Sequence, residues 1–253
     1  MYARTSASQS LYSVGAYLKK GEQLMKTYKI HLIRHGLTNE NLEGKYIGHT
    51  DVPLSDIGAE QLEQMKQEYI YPYADAVFSS PLSRCTETAR IIYPDSAVAT
   101  IDGLIEYNFG EFEGRTAEEL HEKEELFDDW LRGDKDIEPP FGESNSAFAK
   151  RVCTAFAAIV EGVMKSQTES TAIITHGGVI MTIMAAFALP EASMHEWLTP
   201  HGCGYTLRLT PALWMAGQKL EAIDEIPMAQ RETNYYDGWD YYPEDDGYFE
   251  EEE

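Results

Sequence analysis

The stretch Tyr28–Asn41, YKIHLIRHGLTNEN, joins an apolar strand to a loop of polar side chains. Ile30, Leu32 and Ile33 supply the apolar half, which is typical of a central strand in a parallel sheet covered on both faces. The strand ends at Arg34-His35-Gly36. There an arginine can donate to an anion, a neutral imidazole offers a free nitrogen, and a glycine lets the backbone approach a ligand. The stretch therefore predicts an anion-binding floor at the end of a buried strand.

The 253-residue chain has the length and composition of one α/β domain with an extension at each end. No apolar run approaches the roughly 20 residues that span a bilayer. The cysteines at positions 85, 153 and 203 lack the spacing of a metal site, and no long apolar segment at the N-terminus resembles a signal peptide. We therefore expect a reduced, cytoplasmic protein that is not bound to a membrane.

The chain is strongly acidic, with a formal net charge of -23 at pH 7. Nucleic acids and anionic membranes require clustered positive surface, so neither is an expected partner. Residues 1–26 carry +3 and residues 232–253 carry -10, and removing both from -23 leaves -16 on residues 27–231. A site for a phosphorylated ligand must therefore be a locally positive pocket within an acidic domain.

The two extensions allow more than one interpretation. Leu11, Val14 and Leu18 permit a short amphipathic helix within residues 1–26, although a mobile or loosely docked extension is the simpler hypothesis. Residues 232–253 alternate acids and aromatics, which is typical of a solvated tail. The same pattern would suit docking on a basic partner or a contact between subunits, so a homo-oligomer stays open.

Strands alternate with helices along most of residues 27–231, which predicts a mostly parallel sheet with helices packed on it. After the first strand, the predicted strands are Ala74–Ser79, Ala97–Ile101, Thr171–Thr175 and a closing antiparallel pair, Cys203–Thr210 and Lys219–Ile226. Residues 107–142 break the alternation, because they combine an acidic helix at 116–132 with loops rich in glycine and proline. We expect this segment to form a cap beside the sheet.

Further chemical groups follow the predicted strands. Arg84 lies in the first turn of the helix after the second strand, and Glu106 follows the third strand in a glycine-rich stretch. His176 and Gly177 lie between a later strand and the start of another helix, where free backbone N–H groups can bind an anion. Ligands bind near the strand ends in folds of this kind, so Arg84 and His176 are candidate site residues together with His35.

With these residues in this order, the chain resembles the histidine phosphatase superfamily, the phosphoglycerate mutase-like proteins. The resemblance covers about residues 28–210, through the motifs LIRHGLTNEN, GHTDVPLSDIGAEQ, SSPLSRCTETA, IEYNFGEFEG, GES at 142–144 and THGG. It implies a three-layer α/β/α sandwich with a mostly parallel central sheet and an inserted cap at about 107–142. The domain would span residues 27–231, and neither terminal extension belongs to the pattern.

The resemblance also implies roles for individual residues. His35 would attack phosphorus and become phosphorylated, which splits one difficult displacement into two easier ones. Glu106 would donate the proton to the departing alkoxide. The candidate phosphate-binding residues are Arg34, Asn41, Arg84, His176 and Gly177. The implied substrate is a small phosphorylated metabolite, no cofactor is implied, and no carboxylate-histidine spacing supports a metal site.

Other titratable residues are weaker candidates for a role in the site. Glu111 and Glu113 are rival proton donors, but their stretch is typical of a turn. His31 lies within the first strand, where a structural role is the better interpretation. The remaining histidines have no other candidate site residues near them in the sequence pattern: His49, His121, His195 and His201.

The resemblance leaves the reaction open, because the family contains hydrolases and sugar-phosphate mutases. Mutases place an Arg-His-Tyr-Gly type sequence directly after the proton-donating glutamate, whereas Glu106 is followed here by Tyr107-Asn108-Phe109-Gly110, with no cation before Arg115. This difference favours a metal-independent histidine acid-type phosphatase that hydrolyses phosphomonoesters. The alternatives are phosphoglycerate mutase-type phosphoryl transfer and a non-catalytic module that binds phospholigands or proteins.

Overall fold

A computed structural model describes residues 26–133 and 136–230 of the chain. The helix predicted around Leu11–Leu18 and the acidic tail at 232–253 lie outside the described residues. Among the helices that are described, none is both long enough and apolar enough to cross a membrane.

Strands and helices alternate along most of the described chain, as the sequence predicted. The strands are β1 (Tyr28–Arg34), β2 (Tyr69–Ile70), β3 (Ala76–Ser79), β4 (Val98–Thr100), β5 (Ser170–Thr175), β6 (Ala188–Leu189), β7 (Gly204–Leu209), β8 (Leu220–Ile226) and β9 (Met228–Ala229). The helices are α1 (Asn39–Leu42), α2 (Asp56–Glu68), α3 (Ser83–Ile92), α4 (Ala117–Lys123), α5 (Phe127–Arg132), α6 (Asn145–Ser166), α7 (Gly177–Phe187) and α8 (Pro211–Gly217).

One large sheet has the strand order β4-β3-β5-β1-β7-β8-β6, and β2 pairs with β9 separately. The β4-β3, β3-β5, β5-β1 and β8-β6 pairs are parallel. Strand β7 runs antiparallel to both β1 and β8, so the predicted closing pair is present. The prediction of a mostly parallel sheet with β1 at its centre is therefore confirmed.

Helices cover both faces of this sheet. Ile30 and Leu32 of β1 pack in one core cluster with α6 and α7, whereas Ile33 packs in a second cluster with α2 and α3. The division follows from the alternation of side chains in a strand. All three side chains are fully buried, and burying one such side chain stabilises a fold by about 1.5–3 kcal/mol. The predicted three-layer α/β/α sandwich is confirmed.

The cap differs from its prediction in one respect. The helix predicted over residues 116–132 is in fact two helices, α4 and α5. Glu124 leaves the helical path and forms an ion pair with Arg115 at 2.6 Å. Helix α5 then turns Phe127 and Trp130 into a buried aromatic cluster. Tertiary contacts therefore interrupt a helical pattern that the local sequence would continue.

His31 is a buried histidine within β1, with 2% of its surface exposed. Its ring nitrogens lie 3.0 Å from the Thr206 hydroxyl of β7 and 2.9 Å from the Ser170 hydroxyl of β5. Burial lowers the pKa of His31 to about 4. The unfolded chain binds this proton near pH 6.5 and the folded chain only near pH 4, so lowering the pH through this window favours unfolding.

We expect acid to destabilise the wild-type protein more than the His31→Gln variant, because glutamine forms hydrogen bonds but does not titrate. One such histidine changes the free energy of unfolding by about 1.4 kcal/mol per pH unit, or about 2 kcal/mol between pH 7 and pH 5. Urea denaturation at both pH values measures this difference. The other histidines contribute to both proteins and cancel, so equal losses in the two proteins would contradict the prediction.

Candidate active site

His35 is a buried neutral imidazole at the end of β1. Its Nδ1 lies 2.7 Å from the Gly36 carbonyl oxygen. A carbonyl oxygen only accepts, so Nδ1 carries the proton and Nε2 keeps its lone pair. Burial, aided by the nearby charge of Arg84, holds the pKa of His35 well below its usual value. The ring therefore has the tautomer and charge state of a nitrogen nucleophile.

The sheet places a second imidazole beside this one. Strands β1 and β5 are adjacent and parallel, with Arg34 in register with Thr175, so the next residues, His35 and His176, leave the sheet side by side. Their ring centroids are 5.1 Å apart, with the planes at 65°. His176 is fully buried, a hydrogen bond of 2.8 Å joins its Nε2 to the Ser80 hydroxyl, and burial lowers its pKa as well.

Arg84 brings a buried positive charge to the two rings. It lies in the first turn of α3 and is 1% exposed. Its guanidinium donates to the carbonyl oxygens of Gly48 at 2.7 Å and Thr50 at 3.0 Å. The adjacent Cys85 sulfur lies 3.5 Å from His176 Nε2, and the charge of Arg84 lowers the pKa of both His35 and His176. An anion between these groups would be neutralised by a fixed cation.

Arg34 supplies a second guanidinium from the end of β1. One of its terminal nitrogens donates to the Thr199 carbonyl oxygen at 2.7 Å. Its buried Nε has no hydrogen-bond partner among residues 26–133 and 136–230. A buried donor without a partner is costly, and a bound anion would satisfy it. A Cβ at Gly177 would lie only 3.3 Å from this Nε, so the glycine keeps the space beside Arg34 open.

Glu106 reaches the same region from the loop after β4. Its two carboxylate oxygens accept from the backbone N–H groups of Tyr107 and Gly178, each at 2.9 Å. A Cβ at Gly178 would lie 2.4 Å from the nearer oxygen, so only glycine lets the carboxylate reach the start of α7. The charge of Glu106 also acts on Arg34, where it opposes the lowering of the arginine pKa by burial. The carboxylate is therefore held beside the cationic pocket.

Arg151 of α6 positions the Glu106 loop, a role that the sequence did not indicate. Its guanidinium donates to the carbonyl oxygens of Ile105 at 2.8 Å and Glu106 at 3.1 Å. It also forms an ion pair of 2.6 Å with Glu143, which in turn accepts from the Asn108 N–H at 2.9 Å. One side chain thus fixes the backbone on both sides of the Glu106 carboxylate.

We expect Arg151→Gln to lower kcat about 10- to 100-fold for a reaction in which the Glu106 carboxyl group takes part, because a misplacement of about 1 Å at a reacting group can cost 100-fold. KM should change less, since the arginines and histidines of the pocket are untouched. Steady-state kinetics measure the effect, with Lys150→Gln as the matched control for charge removal on the same helix. Equal kcat values for the two variants would contradict this role.

Glu111 and Glu113, the rival candidates for the proton donor, lie outside the cluster of Arg34, His35 and His176. Glu113 accepts from the backbone N–H groups of His49 at 2.7 Å and Thr50 at 2.8 Å. It thereby fixes the loop whose carbonyl oxygens hold Arg84, so it supports the pocket through the backbone. Glu111 is exposed, in a short 3₁₀ turn. These contacts give Glu113 a structural role and leave Glu106 as the carboxylate beside Arg34.

Asn41 lies in α1, beyond the loop that follows β1. The contact that the structure gives its side chain is within the helix cap: Asn41 Oδ1 accepts from the Thr38 N–H at 3.3 Å, and the Thr38 hydroxyl accepts from the Asn41 N–H at 3.2 Å. This reciprocal pair is a capping box, which orders the loop. A role for Asn41 in binding phosphate stays a prediction.

The prediction that His201 has no other site residues around it is wrong. Its ring centroid lies 5.2 Å from that of His35, and its Nδ1 donates to the His35 carbonyl oxygen at 3.0 Å. Burial and the charge of Arg34 lower the pKa of His201 to about 4. No strand ends directly before this residue, so the pattern that identified His35 and His176 could not find it. It is brought in by the loop, whose Gly202 N–H donates to the Arg34 carbonyl oxygen at 3.0 Å.

The structure therefore brings the predicted Arg34, His35, Arg84, Glu106 and His176 into one buried cluster, with Gly177 at its edge. Within residues 26–133 and 136–230, no group of three or more His, Cys, Asp or Glu side chains is arranged to hold a metal ion. The cluster contains what phosphoryl transfer requires: a nucleophilic nitrogen, fixed positive charge and a carboxyl group.

Comparison with known proteins identifies the family of this chain. The family profile of the histidine phosphatase superfamily (branch 1) matches residues 30–216. The adenosylcobalamin/alpha-ribazole phosphatase of Salmonella typhimurium is 30% identical over 179 residues, which are 69% of this chain and 87% of that protein. A 2,3-bisphosphoglycerate-dependent phosphoglycerate mutase of Gloeobacter violaceus is 32% identical over 161 residues, 60% of this chain and 72% of that protein.

Similarity extends to solved structures. The crystal structure of the alpha-ribazole phosphatase from Shigella flexneri has a TM-score of 0.67 and 26% identity, covering 80% of this chain and 96% of that one. The matched residues 30–216 run from β1 into α8 and include both strand ends that carry the imidazoles. The chain belongs to the histidine phosphatase superfamily, branch 1.

Proposed function

We propose that the protein hydrolyses the phosphomonoester of a small organic phosphate through a phosphohistidine on His35. The observation that carries the proposal is the neutral His35 ring, whose Nδ1 proton is held by the Gly36 carbonyl oxygen, placed among Arg34, Arg84 and His176. Residues 27–231 would be the catalytic domain, with the cap at about 107–142 over the site.

In the first step, His35 Nε2 would attack phosphorus and the bond from phosphorus to the ester oxygen would break. Protonated Glu106 would give its proton to the departing alkoxide, which leaves as an alcohol. In the second step a water molecule would attack the phosphohistidine. Glu106 would take one proton from that water, the phosphorus–nitrogen bond would break, and inorganic phosphate and neutral His35 would remain.

The two arginines would supply the electrostatic part of catalysis. Charge on the phosphoryl oxygens is the main feature that an enzyme of this class has to stabilise, and fixed donors act most strongly where water is excluded. Arg84 is fully buried, and the Nε of Arg34 is buried without a partner in the described chain. These groups would hold a phosphoryl group within a domain that carries -16 overall.

The loop after Glu106 favours hydrolysis over mutase activity. Tyr107 is buried and its hydroxyl accepts from Trp130 Nε1 at 3.0 Å, and the Asn108 N–H donates to Glu143. These residues pack the cap and bring no cation to the pocket. A mutase needs additional basic groups to hold a carboxylated substrate, so phosphoryl transfer between positions of phosphoglycerate is the second candidate, supported by similarity to a mutase.

The test is release of phosphate by the purified protein from an aryl phosphate and from a panel of phosphorylated metabolites, with and without a chelator. The panel should include α-ribazole 5′-phosphate, because named relatives are alpha-ribazole phosphatases, and 3-phosphoglycerate. We expect phosphate release that the chelator does not affect. Isomerisation of phosphoglycerate without phosphate release would support the mutase, and binding of phosphate without any turnover would support a non-catalytic module.

A further inference from the structure

Thr88 lies where helix α3 meets the loop that follows β1, and it is fully buried. Its hydroxyl makes two hydrogen bonds. The Gly36 N–H donates to it at 2.9 Å, and it donates in turn to the Arg84 carbonyl oxygen at 2.6 Å. Both directions are fixed, because a backbone N–H only donates and a carbonyl oxygen only accepts. The hydroxyl proton is therefore used within α3, and the hydroxyl oxygen holds the loop.

These hydrogen bonds extend as far as the nucleophilic ring. The Gly36 carbonyl oxygen accepts from His35 Nδ1 at 2.7 Å, so Gly36 is bonded to Thr88 through its N–H and to the imidazole through its carbonyl oxygen. At the other end, Thr88 holds the backbone of Arg84, and carbonyl oxygens of the loop at residues 48–50 hold its guanidinium. A series of hydrogen bonds thus joins the proposed nucleophile to the helix that carries the buried cation.

Packing also restricts the loop at Gly36, which is buried. A Cβ on this glycine would lie 2.7 Å from Leu62 Cδ1 of α2 and 3.1 Å from Leu54 Cδ2. Leu62 is itself buried and packs in one core cluster with Cys85 of α3. The Thr88 hydroxyl is the acceptor that the Gly36 N–H finds in these apolar surroundings, and a buried donor that loses its acceptor is costly.

We propose that Thr88 is a positioning residue of this site, which holds His35 in a fixed place relative to Arg84. The inference rests on the proposed function, since it concerns the transfer of a phosphoryl group to His35. A threonine that only stabilised α3 would need its bond to the Arg84 carbonyl oxygen and no bond to the loop. Thr86 offers a matched comparison, because its hydroxyl donates within α3, to the Ser83 carbonyl oxygen at 3.1 Å.

Loss of the hydroxyl should act on the rate of reaction more than on substrate binding. In Thr88→Val a methyl group of similar size replaces the hydroxyl, and the Gly36 N–H loses its acceptor. The backbone next to His35 is then free to shift, and a misplacement of about 1 Å at a reacting group can cost 100-fold in rate. The side chains of the pocket arginines are unchanged, so a phosphorylated substrate should still bind.

The measurements are steady-state kinetics with an aryl phosphate and hydrogen exchange of the Gly36 amide by NMR, with thermal melting to check folding. We expect Thr88→Val to lower kcat about 10- to 100-fold while KM stays within a few-fold of wild type. Its Gly36 amide should exchange about 10-fold faster. Thr88→Ser keeps the hydroxyl and should restore both quantities to within a few-fold of wild type. Thr86→Val should equal wild type in both.

A serine variant as slow as Thr88→Val would show that the methyl group of Thr88 matters and its hydroxyl does not. Equal losses in Thr86→Val and Thr88→Val would assign the effect to the helix as a whole. Either result, or a normal kcat in Thr88→Val, overturns the inference and leaves the proposed function standing if the wild-type protein hydrolyses the ester. If the wild-type protein hydrolyses no ester, both fail. Should Thr88→Val not fold, Thr88→Cys, whose thiol is a weaker acceptor, takes its place with the same expected order.

Discussion

His35→Ala should lower kcat/KM for a phosphomonoester by roughly 10⁴- to 10⁶-fold, the range expected when a covalent nucleophile is removed. Alanine removes the nitrogen that would bond to phosphorus, and the neighbouring His176 cannot replace it, because its Nε2 is joined to the Ser80 hydroxyl. The pocket arginines remain, so phosphate should still bind. Activity should be lost with binding largely preserved.

Trapping tests the covalent step directly. Wild-type protein quenched during turnover of a ³²P-labelled ester should carry label that is lost in acid and stable in base, as a phosphoramidate is. His35→Ala should carry none. His195→Ala, which removes an exposed imidazole from the 3₁₀ turn after β6, should label like wild type. Label that persists in the His35 variant would show that another residue is the nucleophile.

Glu106→Gln should reduce turnover of an alkyl phosphate by about 100- to 10,000-fold, the usual contribution of general acid-base catalysis. The amide oxygen can still accept from the Gly178 N–H, although the bond from the Tyr107 N–H is lost. Arg151 still donates to the carbonyl oxygens of Ile105 and Glu106, so the loop should keep its place. A substrate whose leaving group is already a weak base needs little protonation. The loss should therefore be much smaller for p-nitrophenyl phosphate than for an alkyl ester.

This dependence on the leaving group separates a proton donor from a residue that only shapes the pocket. Glu111→Gln is the matched control, since it removes an exposed carboxylate five residues later on the same segment. Glu113→Gln is informative too: it should act through the loop that holds Arg84, so both substrates should lose rate equally. An equal loss for both substrates in Glu106→Gln would assign the proton donor elsewhere.

The sequence predicted the position of a site residue correctly where that residue directly follows a strand or lies in the first turn of a helix. Parallel strands place their carboxyl ends at one edge of the sheet, so two strands that are each followed directly by a histidine predicted that His35 and His176 meet. Arg84 was found because it lies in the first turn of the helix that follows β3, another strand whose carboxyl end lies at this edge of the sheet. In these cases secondary structure and chain order determine the position of the side chain.

Sequence reasoning failed where position depends on backbone contacts between distant loops. His201 is placed by the hydrogen bond from Gly202 to Arg34, and Arg151 by carbonyl oxygens of the Glu106 loop, 45 residues away in the chain. No pattern in the local sequence predicts these hydrogen bonds between residues far apart in the chain. The break between α4 and α5 has the same origin, because an ion pair and aromatic packing outweigh helical propensity over one turn.

The register between β1 and β5 has an evolutionary consequence. Arg34 opposite Thr175 sets the relation between the two imidazoles, and a one-residue insertion or deletion within either strand would turn the following side chain to the other face of the sheet. Length changes should be rejected in the two strands but tolerated in the cap beyond Glu113, whose carboxylate holds the loop beside Arg84, so relatives can acquire new substrates by remodelling that part of the cap while retaining one chemistry.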